Sequence, residues 1–347
     1  MFNILNYSCS LLLFVLVSTI IYNYMNKEGF EIKQPSVLPK DIDTDGSEDN
    51  KYHIIPYFTS ENLYSHYYVY NGSSAVKKKG IYIKDNKDNK DNPVFNITSS
   101  SNDDIQKIVI DKVYSRTYYN TDGENTTLIH LKDTSNKKSA IIKIKKDQTP
   151  IPIILDVGSS DDNIIHMAYD TIDDRVIIIN PDHNPTNTKT LKIDIYDKDS
   201  KTITLPPYNT DSQIDTIYDI YCFGQFLYVL AKATGKTVIY KINISDKSAN
   251  KGTVSIHLSS VFNSDSDNIK NMHMLVDKTN IYIINRKGKF YMFNNKKNGT
   301  QNPILNTKGS LLLDFDVTKE LAHAKIDKRE LYYIYRKIVD ETSDTFS

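Results

Sequence analysis

His166-Met-Ala-Tyr-Asp170 followed by Val176-Ile-Ile-Ile-Asn180 recurs as His273-Met-Leu-Val-Asp277 with Ile281-Tyr-Ile-Ile-Asn285. It recurs again as His323-Ala-Lys-Ile-Asp327 with Leu331-Tyr-Tyr-Ile-Tyr335. Each copy reads as a strand ending in Asp, a tight turn, and a second, more apolar strand. A weaker copy places Asp219 at the Asp position, with Leu227-Tyr-Val-Leu230 as its second strand. Leu128-Ile-His-Leu131 and Tyr67-Tyr-Val-Tyr70 read as two further second strands. These second strands begin near residues 67, 128, 176, 227, 281 and 331, so the repeat is about fifty residues long.

Four strands can be read within the clearest unit: Ile164–Tyr169, Val176–Ile179, Thr190–Tyr196 and Thr202–Leu205. Helical periodicity is nearly absent after Lys51, and strands recur every 8 to 12 residues or so. Four antiparallel strands per unit, repeated radially, predict an all-β fold, a six-bladed β-propeller of four-stranded antiparallel blades over residues 51–340. Residues 341–347 then form a C-terminal tail. Too little chain remains after Tyr335 to complete a last blade. An open ring leaves bare edges, so Tyr52-His-Ile-Ile55 is the nearest strand for closing it. The alternation of apolar strand, Asp, turn and apolar strand resembles the inner hairpins of NHL, YVTN and SMP-30-like propellers. That resemblance covers the repeat grammar of the whole globule and no catalytic motif. A β-sandwich pair or a β-solenoid is the alternative.

Ahead of the globule lies a different kind of sequence. Ile4 to Tyr24 carries no charge and centres on Leu11-Leu-Leu-Phe-Val-Leu-Val17. As a helix it would be about 31 Å long, one hydrocarbon core. We read residues 1–25 as a single transmembrane anchor. A cleaved signal peptide is the rival, but no basic residue precedes the run and no small-x-small site follows it before Asn26. Lys27, Lys33 and Lys40 follow the span, which favours a globule on the cytoplasmic side. Residues 26–50 read as a polar, acidic linker containing Pro35 and Pro39.

Composition narrows the function. The chain has 347 residues with 43 basic and 43 acidic side chains, so it lacks the basic footprint of a nucleic-acid binder. Two cysteines, Cys9 and Cys222, exclude a disulfide framework and a zinc ribbon. The wealth of Asn, Asp, Ile, Lys and Tyr tracks A/T-rich codons, as in large DNA viruses or certain protists. In the viral case the chain would be a membrane or virion component.

Asp41-Ile-Asp43-Thr-Asp45-Gly46-Ser-Glu-Asp49 spaces carboxylates around a glycine as a calcium loop does, and resembles the loops of integrin-type propeller repeats. It departs from the EF-hand, because Tyr52 stands where that loop has Glu. A solvated acidic linker accounts for the same residues. His166, His273 and His323 fall on equivalent first strands, which in a propeller line the central channel. They could converge on a metal or anion, or each could bond within its own blade beside the Asp four residues on. Ala233-Thr-Gly-Lys-Thr237 lacks the first glycine of a P-loop and reads as a hairpin turn.

No cofactor is expected beyond calcium at the acidic loop, and no nucleophile motif is present. Two readings follow. One is a membrane-anchored, non-enzymatic propeller with a protein partner; the other is a metal-dependent hydrolase or lactonase of the SMP-30-like kind. They differ in whether carboxylates and imidazoles from several blades converge on one point.

Overall fold

A computed structural model describes residues 31–32, 36–37 and 52–337, apart from 73–77, 85–90, 147, 157–164, 181–187, 198, 200–201, 205–206, 246–253, 259–271, 286–287, 297, 302–310, 313–318 and 329. The proposed anchor at 4–24 and the acidic loop Asp41, Asp43, Asp45 and Asp49 lie outside the described residues. Among those described, no helix is long and apolar enough to cross a membrane.

The chain is all-β, built from several four-stranded antiparallel sheets laid down in sequence order. The first runs Tyr52–Phe58, Tyr64–Tyr70, Gly80–Lys84 and Asp91–Asn96. The second runs Lys112–Tyr119, Asn125–Asp133, Lys138–Lys145 and Ile151–Asp156. The third holds His166–Asp170, Arg175–Ile179, Asp194–Tyr196 and Thr202–Thr204. The fourth is built on Tyr208–Phe223, Phe226–Ala233, Lys236–Asn243 and Val254–Leu258. The fifth holds Met272–Val276, Asn280–Asn285, Lys289–Asn294 and Leu311–Leu312, and the sixth is built on Lys319–Asp327 and Glu330–Lys337. Each first strand touches the first strand of the next sheet, and that of the sixth touches that of the first. A ring of inner strands is consistent with a β-propeller.

The apolar runs explain the ring. In a strand, successive side chains point to opposite faces. Leu227 and Val229 therefore pack toward sheet three, while Tyr228 and Leu230 pack against sheet five. In sheet five, Ile281 and Ile283 meet sheet four, and Tyr282 and Ile284 meet sheet six. Sheets one and two share Ile55, Val69, Ile129 and Leu131, and sheets six and one share Ile334 and Phe58. A second strand buried on both faces carries apolar residues at successive positions and does not alternate, and that of sheet two also buries the polar His130 and Lys132.

Three features differ from the reading by sequence. Tyr52–Phe58 is the inner strand of sheet one, not the closing strand of the last sheet. Sheet six is completed by Glu31–Ile32 and Ser36–Val37, which pair parallel with Glu330–Leu331 and Ile334–Tyr335. Part of the stretch read as a spacer thus belongs to a sheet. Thr188–Leu191 leaves sheet three and pairs with the inner strand of sheet four at Tyr208 and Asn209.

The Asp residues at the ends of inner strands order the turns. Asp170 Oδ1 accepts the backbone N–H of Ile172 at 3.0 Å and of Asp173 at 3.4 Å, and Oδ2 pairs with Arg175 Nη2 at 2.5 Å. Asp277 Oδ1 accepts from Thr279 N and Asn280 N, both at 2.7 Å, and Oδ2 accepts from the Tyr282 hydroxyl at 2.7 Å. Asp277→Ala should cost about 1–2 kcal/mol in urea unfolding, the scale of lost side-chain caps. Asp170→Ala should cost more, about 2–3 kcal/mol, because buried Arg175 also loses a charged partner. Equal, negligible losses would show that the turns hold without their carboxylates.

Candidate functional site

The axis of the ring is polar. Arg116 on the inner strand of sheet two reaches past sheet three to an ion pair with Asp219 on sheet four. Its second terminal nitrogen donates to the Met274 carbonyl on sheet five. Asp219 closes the triangle: Oδ2 accepts Met274 N at 2.6 Å, and Oδ1 also accepts Ile220 N at 2.8 Å. The guanidinium carbon sits 5.6 Å from the Tyr118 ring centroid and 5.3 Å from that of Tyr221. Burial by itself would lower the Arg116 pKa, but Asp219 and the two phenol rings outweigh it and raise it. Arg116 is therefore a permanent cation.

The three histidines stand in the same layer. Register places His166 opposite Ile179, Asp219 opposite Leu230, His273 opposite Ile284 and His323 opposite Ile334. Asp219 thus occupies the histidine position of its hairpin, not the Asp position inferred from the repeat. The hairpin of sheet four closes at Phe223 and Phe226, where sheet three has Asp170 and Arg175. Alignment on apolar residues alone could not see this, because the inner strand of sheet four has register shifts between Ile214 and Thr216 and between Ile217 and Asp219.

Each imidazole is held neutral. Burial pushes His166 and His273 down to about 4, with Asp219 opposing the shift and Arg116 adding to it; His166 also bonds to the Ile217 backbone. His323 falls to about 3, through burial first and then through His273, Arg116 and Lys325. The His323 Nε2 lies 2.8 Å from the Tyr119 hydroxyl, which itself accepts Phe58 N at 2.9 Å. A neutral imidazole can accept there, so the phenol donates to it and one chain of bonds joins sheets one, two and six.

Beside it, Lys325 Nζ donates to Asn62 Oδ1 at 2.6 Å, and Asn62 Nδ2 donates to Asp327 Oδ2 at 2.9 Å. Asp327, the Asp of the third copy, thus ties sheet six to the turn of sheet one. Lys325 lies 4.5 Å from the Tyr119 ring, and burial lowers its pKa against the pull of Asp327.

Among the described residues, no group of three His, Cys, Asp or Glu side chains is placed to hold a metal ion. The candidate calcium ligands Asp41, Asp43, Asp45 and Asp49 are outside them. Arg116 and Tyr119 were not singled out from sequence; both sit on a strand whose pattern mixes Lys, Ser, Arg and Tyr without the repeated His or Asp. Cys222 is buried and free, and burial pushes its thiol up, away from a reactive thiolate. Ala233-Thr-Gly-Lys-Thr237 is a hairpin turn, with Thr234 and Gly235 both at positive φ.

A second feature lies off the axis. An open cleft of about 930 Å³ separates sheets one and two. Tyr57 and Tyr67 stack on its floor with centroids 4.6 Å apart, and Asp122, Glu124, Lys145 and Lys146 stand at its rim.

No family model matches the chain, and no curated protein matches it. Solved structures resemble it weakly. A crystal structure of HIRA(644-1017) is 12% identical with a TM-score of 0.30, covering 59% of this chain and 54% of its own. The Aleuria aurantia lectin, as a mutant in complex with Fucα1-6GlcNAc, is 10% identical with a TM-score of 0.39, covering 75% and 82%. Prolyl oligopeptidase B from Galerina marginata is 9% identical with a TM-score of 0.33, covering 79% and 34%. This chain spans about half of the HIRA fragment and about a third of the oligopeptidase.

Two outcomes test the axis. Arg116→Met leaves Asp219 buried without its cation and should cost about 3–5 kcal/mol in denaturant unfolding. Arg116→Met with Asp219→Leu should recover much of that loss, and a double variant as unstable as the single would argue against mutual compensation. Separately, the imidazoles are neutral in folded and unfolded chains above pH 6.5. As pH falls from 6.5 toward about 4, the unfolded chain gains protons that the folded one refuses, so stability falls through that window. His323→Gln should flatten the fall when thermal midpoints are followed against pH.

Proposed function

We propose that this chain is a six-bladed propeller on a single-pass membrane anchor, acting as a non-enzymatic interaction or structural component with its globule on the cytoplasmic side. The six sheets found among the described residues, with inner strands touching in cyclic order, support six blades. The uncharged run 4–24 and the lysines that follow it support the anchor and its orientation.

One observation carries the non-enzymatic reading: at the axis Arg116 and Asp219 bond to each other and His323 bonds to Tyr119. Both oxygens of Asp219 serve Arg116, Met274 and Ile220, and the His323 Nε2 serves Tyr119. A hydrolase of the SMP-30-like kind needs several such groups aimed at a shared open point. The cleft between sheets one and two, with a tyrosine floor and both signs of charge at its rim, is where we place a protein partner.

The reading is tested by fractionation. The full chain should stay in the membrane pellet through alkaline washing, while a chain beginning at residue 26 should move to the supernatant. Protease added outside sealed cells should leave the globule intact if it is cytoplasmic. Equilibrium dialysis against Ca²⁺, Mn²⁺ and Zn²⁺ addresses the alternative: stoichiometric binding abolished by Asp219→Asn, together with lactone hydrolysis, would replace our reading with the enzyme.

A further inference from the structure

The turn linking first and second strands falls at one end of the ring in every sheet. Asn62, in the turn of sheet one, bonds to Asp327 at the last residue of the inner strand of sheet six. Gly123 in the turn of sheet two lies against Ser60 in the turn of sheet one, and Asp174 in the turn of sheet three accepts from Lys143 near the turn end of sheet two. Cys222, beside the turn of sheet four, feels the charges of Asp170 and Arg175, and Asn295, which donates to the Asp277 carbonyl at the turn of sheet five, accepts from Tyr228 just after the turn of sheet four. The inner strands therefore run the same way, and their hairpin turns share a face.

Glu31–Ile32 fixes where the preceding chain leaves. It pairs parallel with Glu330–Leu331, and Glu330 is the first residue after the hairpin turn of sheet six. Chain before Glu31 thus departs past the turn end. Only residues 25–30 separate Glu31 from the uncharged run 4–24, and six extended residues span at most about 21 Å.

The same end gathers exposed apolar side chains. Five large hydrophobics are conspicuously exposed among the described residues: Leu63 at 60%, Val109 at 46%, Ile151 at 37%, Ile172 at 67% and Phe223 at 37%. Leu63 and Ile172 lie in the hairpin turns of sheets one and three, and Phe223 closes that of sheet four. Ile151 opens the outer strand of sheet two opposite Lys143, near where the third strand returns to this end. Only Val109 lies at the other end, where its backbone N–H meets Asp133 at the far terminus of a second strand.

We propose that the hairpin-turn face of the ring lies against the bilayer surface, with Leu63, Ile151, Ile172 and Phe223 seated at the lipid interface. This rests on the anchored reading above and adds which face meets the membrane. Glu61, Asp122, Lys145, Lys278 and Lys328 mix both signs on or beside these turns, so the contact is apolar and needs no anionic lipid. The partner cleft, lined by turn residues Ser60 and Asp122, then opens beside the membrane, and its partner must approach along the surface.

The test uses the full chain in phosphatidylcholine vesicles. With Cys9→Ser and Cys222→Ala, single cysteines at Leu63→Cys, Ile172→Cys and Val109→Cys carry a fluorophore, and nitroxide-labelled phosphatidylcholine is the quencher. Probes at 63 and 172 should be quenched several-fold more than the probe at 109. If the chain stays on the vesicles after alkaline washing but all three probes are quenched alike, or 109 the most, the face assignment is overturned and the anchor stands. Loss of the chain from the vesicles overturns both.

Discussion

The second strand of each sheet buries apolar side chains on both faces, and the rest of the fold follows from that. A strand such as Leu227–Leu230 buries Leu227 and Val229 on one side and Tyr228 and Leu230 on the other. One covering layer cannot satisfy it. Each apolar side chain left in water forfeits about 1.5–3 kcal/mol of burial. Every sheet therefore needs a neighbour on both sides, and a row of such sheets has exposed ends unless it closes on itself.

Closure sets a harder problem at the seam, where the two ends of the chain must find each other. Here the apolar layer is thin, with Phe58 and Ile334 as its fully buried members. Directional bonds supplement it. Tyr119 joins Phe58 to His323, and Asn62 receives Lys325 while donating to Asp327. The parallel pairing of Glu31–Ile32 and Ser36–Val37 with the last strand carries the N-terminal chain into the same sheet. The seam thus substitutes hydrogen bonds of fixed geometry for apolar area, and such bonds also specify which sheets meet.

Sequence reading recovered what has a period and missed what has a partner. Val176–Ile179, Leu227–Leu230 and Ile281–Ile284 are second strands of successive sheets, as their apolar runs indicate, because double-faced burial leaves a continuous mark on the sequence. The histidine layer was visible for the same reason. Asp219 was placed four residues out of phase, since bulges in its strand break the spacing that alignment assumes. Arg116 left no trace at all. Its hydrogen bonds run to residues more than a hundred positions away, and no local pattern encodes those. The closing segments at 31–32 and 36–37 are too short to show periodicity, and the prolines beside them argue for a linker.

A polar axis has a physical rationale of its own. Where inner strands converge, an apolar plug would fill the space without preferring one arrangement of sheets over another. A buried ion pair contributes little net stability, because desolvation offsets most of its attraction. It is exacting about position, however, and a guanidinium fork more so than an ammonium. Arg116 reaches its acceptors only if sheets two, four and five hold their places around the axis, with His166 of sheet three standing between. On this argument the axis is occupied in holding the order of the sheets. Groups spent in that way are poorly available for chemistry, which leaves the turns, clefts and faces as the parts of the molecule free to recognise something else.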